Sequence, residues 1–177
     1  MTAAAHSHRH LRPVEPVEVS SDLFRAALGA HPAGVVVVTG TDEDGPVGMT
    51  ATSFVSISLS PPLVAFAVAT TSSTWTRLRR ADSVVVHLLD DGQSEVATRF
   101  ATSGIDRFAE PTSWAPLRTG EPLISDVATW LRCRVDEHVL LGDHVLVVAR
   151  VLEAAVDAEH QPLVYHARGY RTVHPVR

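Results

Sequence analysis

The chain has 177 residues, of which 45% are hydrophobic, and this size and composition are typical of one globular domain. Its formal net charge of −5 argues against a nucleic-acid-binding protein, because phosphate binding depends on concentrated positive charge. All 15 basic residues are arginine, and the lack of lysine excludes Schiff-base chemistry and a lysine-centred phosphate loop.

The N-terminal segment differs from the rest of the chain. It carries His6, His8 and His10 at alternate positions and lacks the continuous apolar stretch of a secretory signal. The three histidines have the chemistry to ligate a metal, but a loose tail gives them no neighbours that would fix their geometry, so no metal site is predicted. We expect a flexible tail over residues 1–19 and one domain over residues 20–177.

The N-terminal half of the domain predicts one helix followed by strands. A capping residue and apolar residues at helical spacing indicate a short helix that starts around Ser21 to Phe24 and ends near Gly29 to Pro32. Two extended segments, 35–39 and 47–50, flank an acidic turn and predict a hairpin. Alternation over residues 54–59 predicts a strand with one core face and one polar face. The apolar run 63–69 predicts a strand buried on both faces, next to the barrel interior.

The C-terminal half continues the β pattern with two more helices. One helix is predicted to begin at residues 72–74, and a strand follows at 84–89. Asp90 and Gln93 are spaced as a cap for a helix that contains Phe100, and residues 102–122 are predicted to be loop. Two strands, around 131–135 and 144–151, form a hairpin across Gly142-Asp143. The whole pattern favours an antiparallel barrel.

The single cysteine and the lengths of the apolar runs indicate the cellular compartment in which the protein is expected. Cys133 has no partner for an intrachain disulfide, and it alternates with arginines on the apolar face of a strand, where a thiol fills the core. No apolar run approaches the roughly 20 residues that cross a bilayer. We therefore expect a cytoplasmic protein with no membrane contact.

Three common nucleotide and hydrolase motifs are absent from the sequence. Gly40, Gly45 and Gly48 lie between two strands, whereas the dinucleotide fingerprint requires a helix there. No Walker A loop and no G-x-S-x-G nucleophile elbow occur. These absences exclude a Rossmann domain and disfavour nucleotide or serine hydrolysis.

Hydroxyl side chains are concentrated in two segments, and arginines follow the second. The hydroxyl residues are Thr50, Thr52, Ser53, Ser56, Ser58, Ser72, Ser73 and Thr74. Such a set suits a polar ligand that carries a phosphate, but it is equally compatible with solvated turns. The residues by themselves leave both interpretations open.

The segment from Gly48 to Val64, GMTATSFVSISLSPPLV, resembles the signature of the flavin reductase-like family of short-chain NAD(P)H:flavin oxidoreductases. Further similar segments follow in the family's order and cover the chain apart from its tail. They are Trp75 to Arg80, Phe100-Ala101, Asp106-Arg107-Phe108, Trp114, Pro122-Leu123, Trp130-Leu131, Gly142-Asp143-His144 and Pro162 to His166.

The resemblance implies a mainly β fold, the FMN-binding split β-barrel with a few short helices, working as a homodimer. It implies FMN or FAD as the flavin, NADH or NADPH as the hydride donor, and a separate monooxygenase component that receives the reduced flavin. Two alternatives stay open: a non-enzymatic flavin carrier, and an oxidoreductase on the same barrel that resembles pyridoxamine-phosphate oxidases or deazaflavin-dependent reductases.

The resemblance also implies roles for individual residues. The flavin ring and ribityl chain would contact Thr50, Ala51, Thr52, Ser53 and Phe54. Ser56 and Ser58 would face the ribityl chain or phosphate, and Ser73, Thr74 and Arg80 would hold the phosphate. His144 and Tyr170 are candidates for the nicotinamide pocket, and each also fits a structural role. Because the two cofactors supply the chemistry, no catalytic triad is expected.

Overall fold

The computed structural model describes residues 18–159 and 161–174, and most of the regular structure in this part of the chain is β. The helices are α1 (Ser21–Gly29), α2 (Ser73–Leu78) and α3 (Ser94–Ala101). The strands are β1 (Ala33–Gly34), β2 (Val36–Asp42), β3 (Gly45–Ala51), β4 (Val55–Leu59), β5 (Pro62–Ala69), β6 (Ser83–Leu88), β7 (Trp114–Pro116), β8 (Pro122–Ile124), β9 (Trp130–Leu141), β10 (His144–Ala155), β11 (Val164–His166) and β12 (Gly169–Arg171).

The largest sheet has seven antiparallel strands in the order β3-β2-β6-β9-β10-β5-β4. It curls until β3, at one edge, contacts β5, the neighbour of the other edge strand. The two edges are not joined by a strand ladder. Instead, the Ser53 hydroxyl donates to the Ala67 carbonyl at 3.2 Å and accepts from the Ala67 amide at 2.9 Å. The expected mainly β split barrel with a few short helices is therefore confirmed.

Valine-rich strands bury both faces of the sheet. In β2, Val36 and Val38 point into the barrel interior, whereas Val37 packs in a second cluster with Ala97 and Phe100 of α3. This follows from the period of two in a strand, which sends neighbouring side chains to opposite faces. The predicted strand β5 contributes Val64, Phe66 and Val68 to the interior, as expected.

Turn residues explain why the predicted hairpins form. Gly45, in the β2–β3 turn, has φ +102°, and Gly142, in the β9–β10 turn, has φ +61°, a region that glycine enters without steric cost. Both hairpins are confirmed, although β9 and β10 each run to 12 residues, longer than predicted. Helix α1 is confirmed as well, and the Ser20 hydroxyl accepts from the Leu23 amide at 3.2 Å.

Three sequence expectations were wrong. Strand β4 has no core face: Val55, Ile57 and Leu59 are 47%, 53% and 92% exposed, because β4 is an edge strand with a bulge at Ile57. Helix α3 begins only at Ser94, so Asp90 does not cap it, although the Gln93 side chain accepts from the Asp90 amide as the predicted spacing implies. Segment 102–122 is not only loop, since β7 lies inside it and pairs with β8.

The histidine, cysteine and membrane expectations have different outcomes. Cys133 is fully buried in the barrel interior, as expected, and burial raises its pKa to about 12. His6, His8 and His10 lie outside the described residues. Within the described ranges, no helix is long and apolar enough to cross a membrane, and no cluster of three potential metal ligands forms.

Candidate functional site

A cleft of about 510 Å³ lies between the β2–β3 hairpin, the start of α2 and the segment that follows α3. Its lining comes from these three regions of the chain: Asp44 and 46–48, then Ser73, Thr74 and Arg77, and finally 104–108. The regions are distant in sequence and meet only in the folded chain.

Gly48 is required where α3 crosses β3. A Cβ atom there would lie 2.8 Å from Cε1 of Phe100 and 3.1 Å from the Val38 carbonyl oxygen, so any side chain would collide. The Thr50 hydroxyl adds a hydrogen bond of 2.6 Å to the Ala97 carbonyl of α3. Glycine therefore lets α3 pack closely on β3 at a position that also lines the cleft.

Arg107 is the central cation of the cleft. Its Nη1 donates to the Gly48 carbonyl at 2.6 Å and to the Thr74 hydroxyl at 2.7 Å, and its Nε donates to the Thr102 carbonyl at 3.0 Å. Partial burial lowers its pKa, although a guanidinium stays protonated. Within the described chain, no carboxylate pairs with Arg107 and its Nη2 has no hydrogen-bond partner. A partly desolvated, uncompensated cation of this kind is a site for an anion.

Two other arginines near the cleft, Arg77 and Arg80, are paired with carboxylates. Arg77 lines the cleft, but its Nη2 and Nε bind the two oxygens of Asp42 at 2.6 and 3.2 Å. That hydrogen-bonded pair lowers the pKa of Asp42. Arg80 contacts Glu43 at 2.9 Å, Asp44 at 3.5 Å and Asp42 at 3.6 Å, and it does not line the cleft.

Residues 52–54 cross the split between the two edges of the barrel. Thr52 and Ser53 are exposed, and Phe54 packs its ring against the interior cluster. None of the three backbone amides donates a hydrogen bond to another described residue. Ser53 lies five positions after Gly48, roughly 16 Å along an extended chain, a span comparable with that of a ribityl phosphate and three fused rings. We refer to residues 52–54 as the amide turn.

The remaining predicted site residues are dispersed. Ser73 and Thr74 line the cleft, and Ala51 points its side chain into the barrel interior. Ser56 is exposed and Ser58 is partly buried on the edge strand β4, and neither lines the cleft.

His144 and Tyr170 belong to different sheets. His144 begins β10 opposite Ala69 of β5, and its Nδ1 lies 2.7 Å from Asp143, whose pKa this contact lowers. Tyr170 packs in the cluster under α3 and lines a separate groove. That groove and the cleft share Ile105, so the two are neighbours.

Comparison with known families identifies the domain. The flavin reductase-like domain is matched by residues 28–174. The chain belongs to this family. The resemblance drawn from the segment between Gly48 and Val64 is thereby confirmed.

Relatives of this flavin reductase-like domain share most of its length. NADH:FMN oxidoreductase of Rhodococcus qingshengii is 47% identical over 151 residues, which cover 83% of this chain and 79% of the relative. The reductase component of flavin-dependent trigonelline monooxygenase from Acinetobacter baylyi is 36% identical over 84% of this chain and 48% of its own length. The structure of Streptomyces globisporus NADH:FAD oxidoreductase SgcE6 with NAD and FAD fragments has a TM-score of 0.84 and 31% identity, covering 92% of this chain and 98% of the other.

Arg107 lines the cleft of this flavin reductase-like domain, although the sequence did not indicate it as a candidate. The triplet Asp106-Arg107-Phe108 was part of the resemblance, but it lies in a segment with no periodic pattern, and nothing local indicated where its side chain would point. The sequence indicates Arg80 instead, because Arg80 follows Ser73 closely along the chain. The fold instead brings Arg107 to Thr74, 33 residues away in sequence.

Proposed function

We propose that this domain is an NADH-dependent flavin reductase that transfers a hydride from NADH to FMN or FAD. The observation that carries the proposal is Arg107, which has no carboxylate partner among the described residues and whose cleft is lined by Gly48, on the strand that leads into the exposed amide turn. Its relatives named NADH:FMN oxidoreductase and NADH:FAD oxidoreductase support the same reaction and the same donor.

The donor set of the cleft fits a flavin phosphate. Arg107 offers Nη2 and a full positive charge. The Thr74 hydroxyl accepts from Arg107, so its own proton is available for a phosphate oxygen, and exposed Ser73 adds a second hydroxyl. Charge-assisted hydrogen bonds of this type are stronger than bonds between neutral groups. We assign phosphate binding to Arg107, Ser73 and Thr74, in place of Arg80.

The amide turn fits the pyrimidine edge of the flavin ring. Bound flavin supplies the hydride acceptor, and electron density rises near N1 and O2 when it is reduced. The amides of Thr52, Ser53 and Phe54 can donate to that edge. Because Ser53 is tied to Ala67 and Phe54 is packed in the interior, these donors are fixed before any ligand arrives.

His144 is proposed to contact the nicotinamide. It is exposed at the start of β10, and the carbonyl of the preceding residue, Asp143, accepts from the Thr70 amide at 2.9 Å, close in sequence to Ser73. His144→Ala is expected to slow the bleaching of bound flavin by NADH about tenfold, because positioning is lost, with an unchanged FMN dissociation constant. Rapid-mixing absorbance measures the first quantity and equilibrium titration the second. Parallel loss of both would contradict this role.

A second copy of the chain is proposed to cover the apolar edge strand. Val55, Ile57 and Leu59 are exposed along β4, and the exposed side chains of Phe24 and Leu28 add apolar surface on α1. Exposed edges of this kind are sites of association. Sedimentation of the intact chain is expected to give twice the mass of one chain, and a monomer at micromolar concentration would contradict it.

A monooxygenase component is proposed to consume the reduced flavin. This rests on the relative named as the reductase component of a trigonelline monooxygenase. The proposal concerns the class of partner, an enzyme that combines reduced flavin with oxygen.

Steady-state oxidation of NADH tests the proposed function. Purified protein is expected to oxidise NADH when FMN or FAD is added, and not without flavin. Anaerobic mixing of the flavin-loaded protein with NADH should bleach the flavin absorbance, which separates a reductase from a flavin carrier. Flavin binding without bleaching would support the carrier, and absence of both binding and oxidation would remove the flavin assignment altogether.

A further inference from the structure

Arg99, in the last turn of α3, is bonded to the segment that carries Arg107. Its Nη2 donates to the carbonyls of Asp106 at 3.0 Å, Ala109 at 2.8 Å and Glu110 at 2.9 Å. Its Nε donates to the carbonyl of Arg107 at 3.3 Å. Four carbonyls of one irregular segment therefore converge on one guanidinium.

These bonds give hydrogen-bond donors to the carbonyls of a segment that lies outside the helices and strands. Polar backbone groups outside helices and strands need other partners, and the planar fork of arginine presents several donors in a fixed geometry. Arg99 makes no ion pair with a described carboxylate, so the four carbonyl dipoles are the groups that face its charge. A lysine would offer only a compact ammonium group on a flexible stem.

Arg107 is thus fixed at both ends by different partners. The Arg99 guanidinium and the Thr112 hydroxyl hold its carbonyl, at 3.3 and 2.7 Å, and Gly48, Thr74 and Thr102 hold its guanidinium. The direction in which Nη2 of Arg107 points depends on both sets of bonds. Without Arg99, the carbonyls of residues 106, 107, 109 and 110 lose their common donor, while Ser53 of the amide turn keeps its bonds to Ala67.

We propose that Arg99 is a positioning residue that sets the 106–110 segment so that Arg107 reaches the flavin phosphate, and that it thereby selects phosphorylated flavins over riboflavin. The inference rests on the proposed function, and within it on phosphate binding by Arg107. Under this proposal, Arg99 strengthens binding of the flavin phosphate and leaves binding of the ring unchanged. A general role in stability would affect both.

The test compares dissociation constants for FMN and riboflavin, measured by flavin fluorescence. We define phosphate selectivity as the riboflavin constant divided by the FMN constant. Arg99→Met is expected to lower phosphate selectivity about tenfold by weakening FMN binding, with riboflavin binding within about twofold of wild type. Arg99→Lys is expected to fall between wild type and Arg99→Met, and it serves if the methionine variant does not fold. Arg79→Met is the matched control, because Arg79 is exposed and its side chain bonds to no described residue.

A double variant separates positioning from stability. In an Arg107→Met background, Arg99→Met is expected to leave phosphate selectivity unchanged, because the group that it positions is gone. Equal weakening of FMN and riboflavin by Arg99→Met, or the same loss of selectivity in both backgrounds, would overturn the inference. A wild-type protein that binds neither flavin would instead overturn the proposed function, so the two failures are distinguishable.

Discussion

Arg107→Met is expected to raise the dissociation constant of FMN about a hundredfold and to leave that of riboflavin within about twofold. The guanidinium is the cation of the cleft that lacks a carboxylate partner within the described chain, so its removal takes away the charge that faces the phosphate. Methionine keeps much of the aliphatic stem and therefore much of the packing. Fluorescence titration with each flavin measures the effect.

The control for Arg107→Met is built into the pair of ligands. Riboflavin lacks the phosphate but has the same ring and ribityl chain, so a general disturbance of the site would weaken both flavins. Equal weakening would place the phosphate away from Arg107, and unchanged FMN binding would remove Arg107 from the site. The rate of NADH oxidation at saturating FMN is expected to stay within a few-fold of wild type, since the amide turn is untouched.

Acidification is expected to destabilise the protein through His87. This residue is fully buried on β6, its Nδ1 lies 3.1 Å from the Val37 carbonyl, and its Nε2 accepts from the Ile124 amide at 3.0 Å. These contacts fix the neutral ring with its proton on Nδ1, and burial lowers the pKa from 6.5 to about 4. Protonation of Nε2 would remove the acceptor of the Ile124 amide.

The sign and the pH range follow from that lowered pKa. Above about pH 6.5 both folded and unfolded chains keep His87 neutral, so its contribution is fully present. Between 6.5 and about 4 only the unfolded chain takes up the proton, and the free energy of unfolding should fall by about 3 kcal/mol. Urea unfolding at several pH values measures it.

His87→Gln provides the reference for this pH dependence. Its amide can donate to one partner and accept from the other without titrating. The difference in unfolding free energy between wild type and variant cancels the contributions of the chain's other histidines. That difference should change by about 3 kcal/mol across the stated pH range, and a difference that does not vary with pH would contradict the assignment.

The sequence predicts those helices and strands whose burial pattern or turn is determined by residues close together in the chain. The run of valines in β2 and the glycines at the two hairpin turns are examples, because period and φ preference act over a few residues. Strands β1, β11 and β12 were missed, since they are two or three residues long and are held by distant contacts such as the Val35 amide to the Leu163 carbonyl. The polarity pattern of β4 was misjudged because alternation cannot distinguish an edge strand from a central one.

Only the part of the candidate site that is formed by one continuous segment of the chain could be predicted from the sequence. The amide turn lies within the motif that carried the resemblance, and its flavin contact stays a prediction. Arg107 was not predictable, because its position depends on the packing of α3 against Gly48 and on the carbonyls that Arg99 gathers. Arg80, close to Ser73 in sequence, is instead drawn to the carboxylates of the β2–β3 turn. Homodimerisation and a cytoplasmic location also stay predictions.

The central claim is that Arg107 and the amide turn hold the two ends of one flavin. A crystal structure of the protein with FMN tests it most directly. We expect a phosphate oxygen about 3 Å from Nη2 of Arg107 and the pyrimidine edge of the ring against the amides of residues 52–54. A phosphate bound elsewhere, or a ring that leaves those amides facing solvent, would contradict the account.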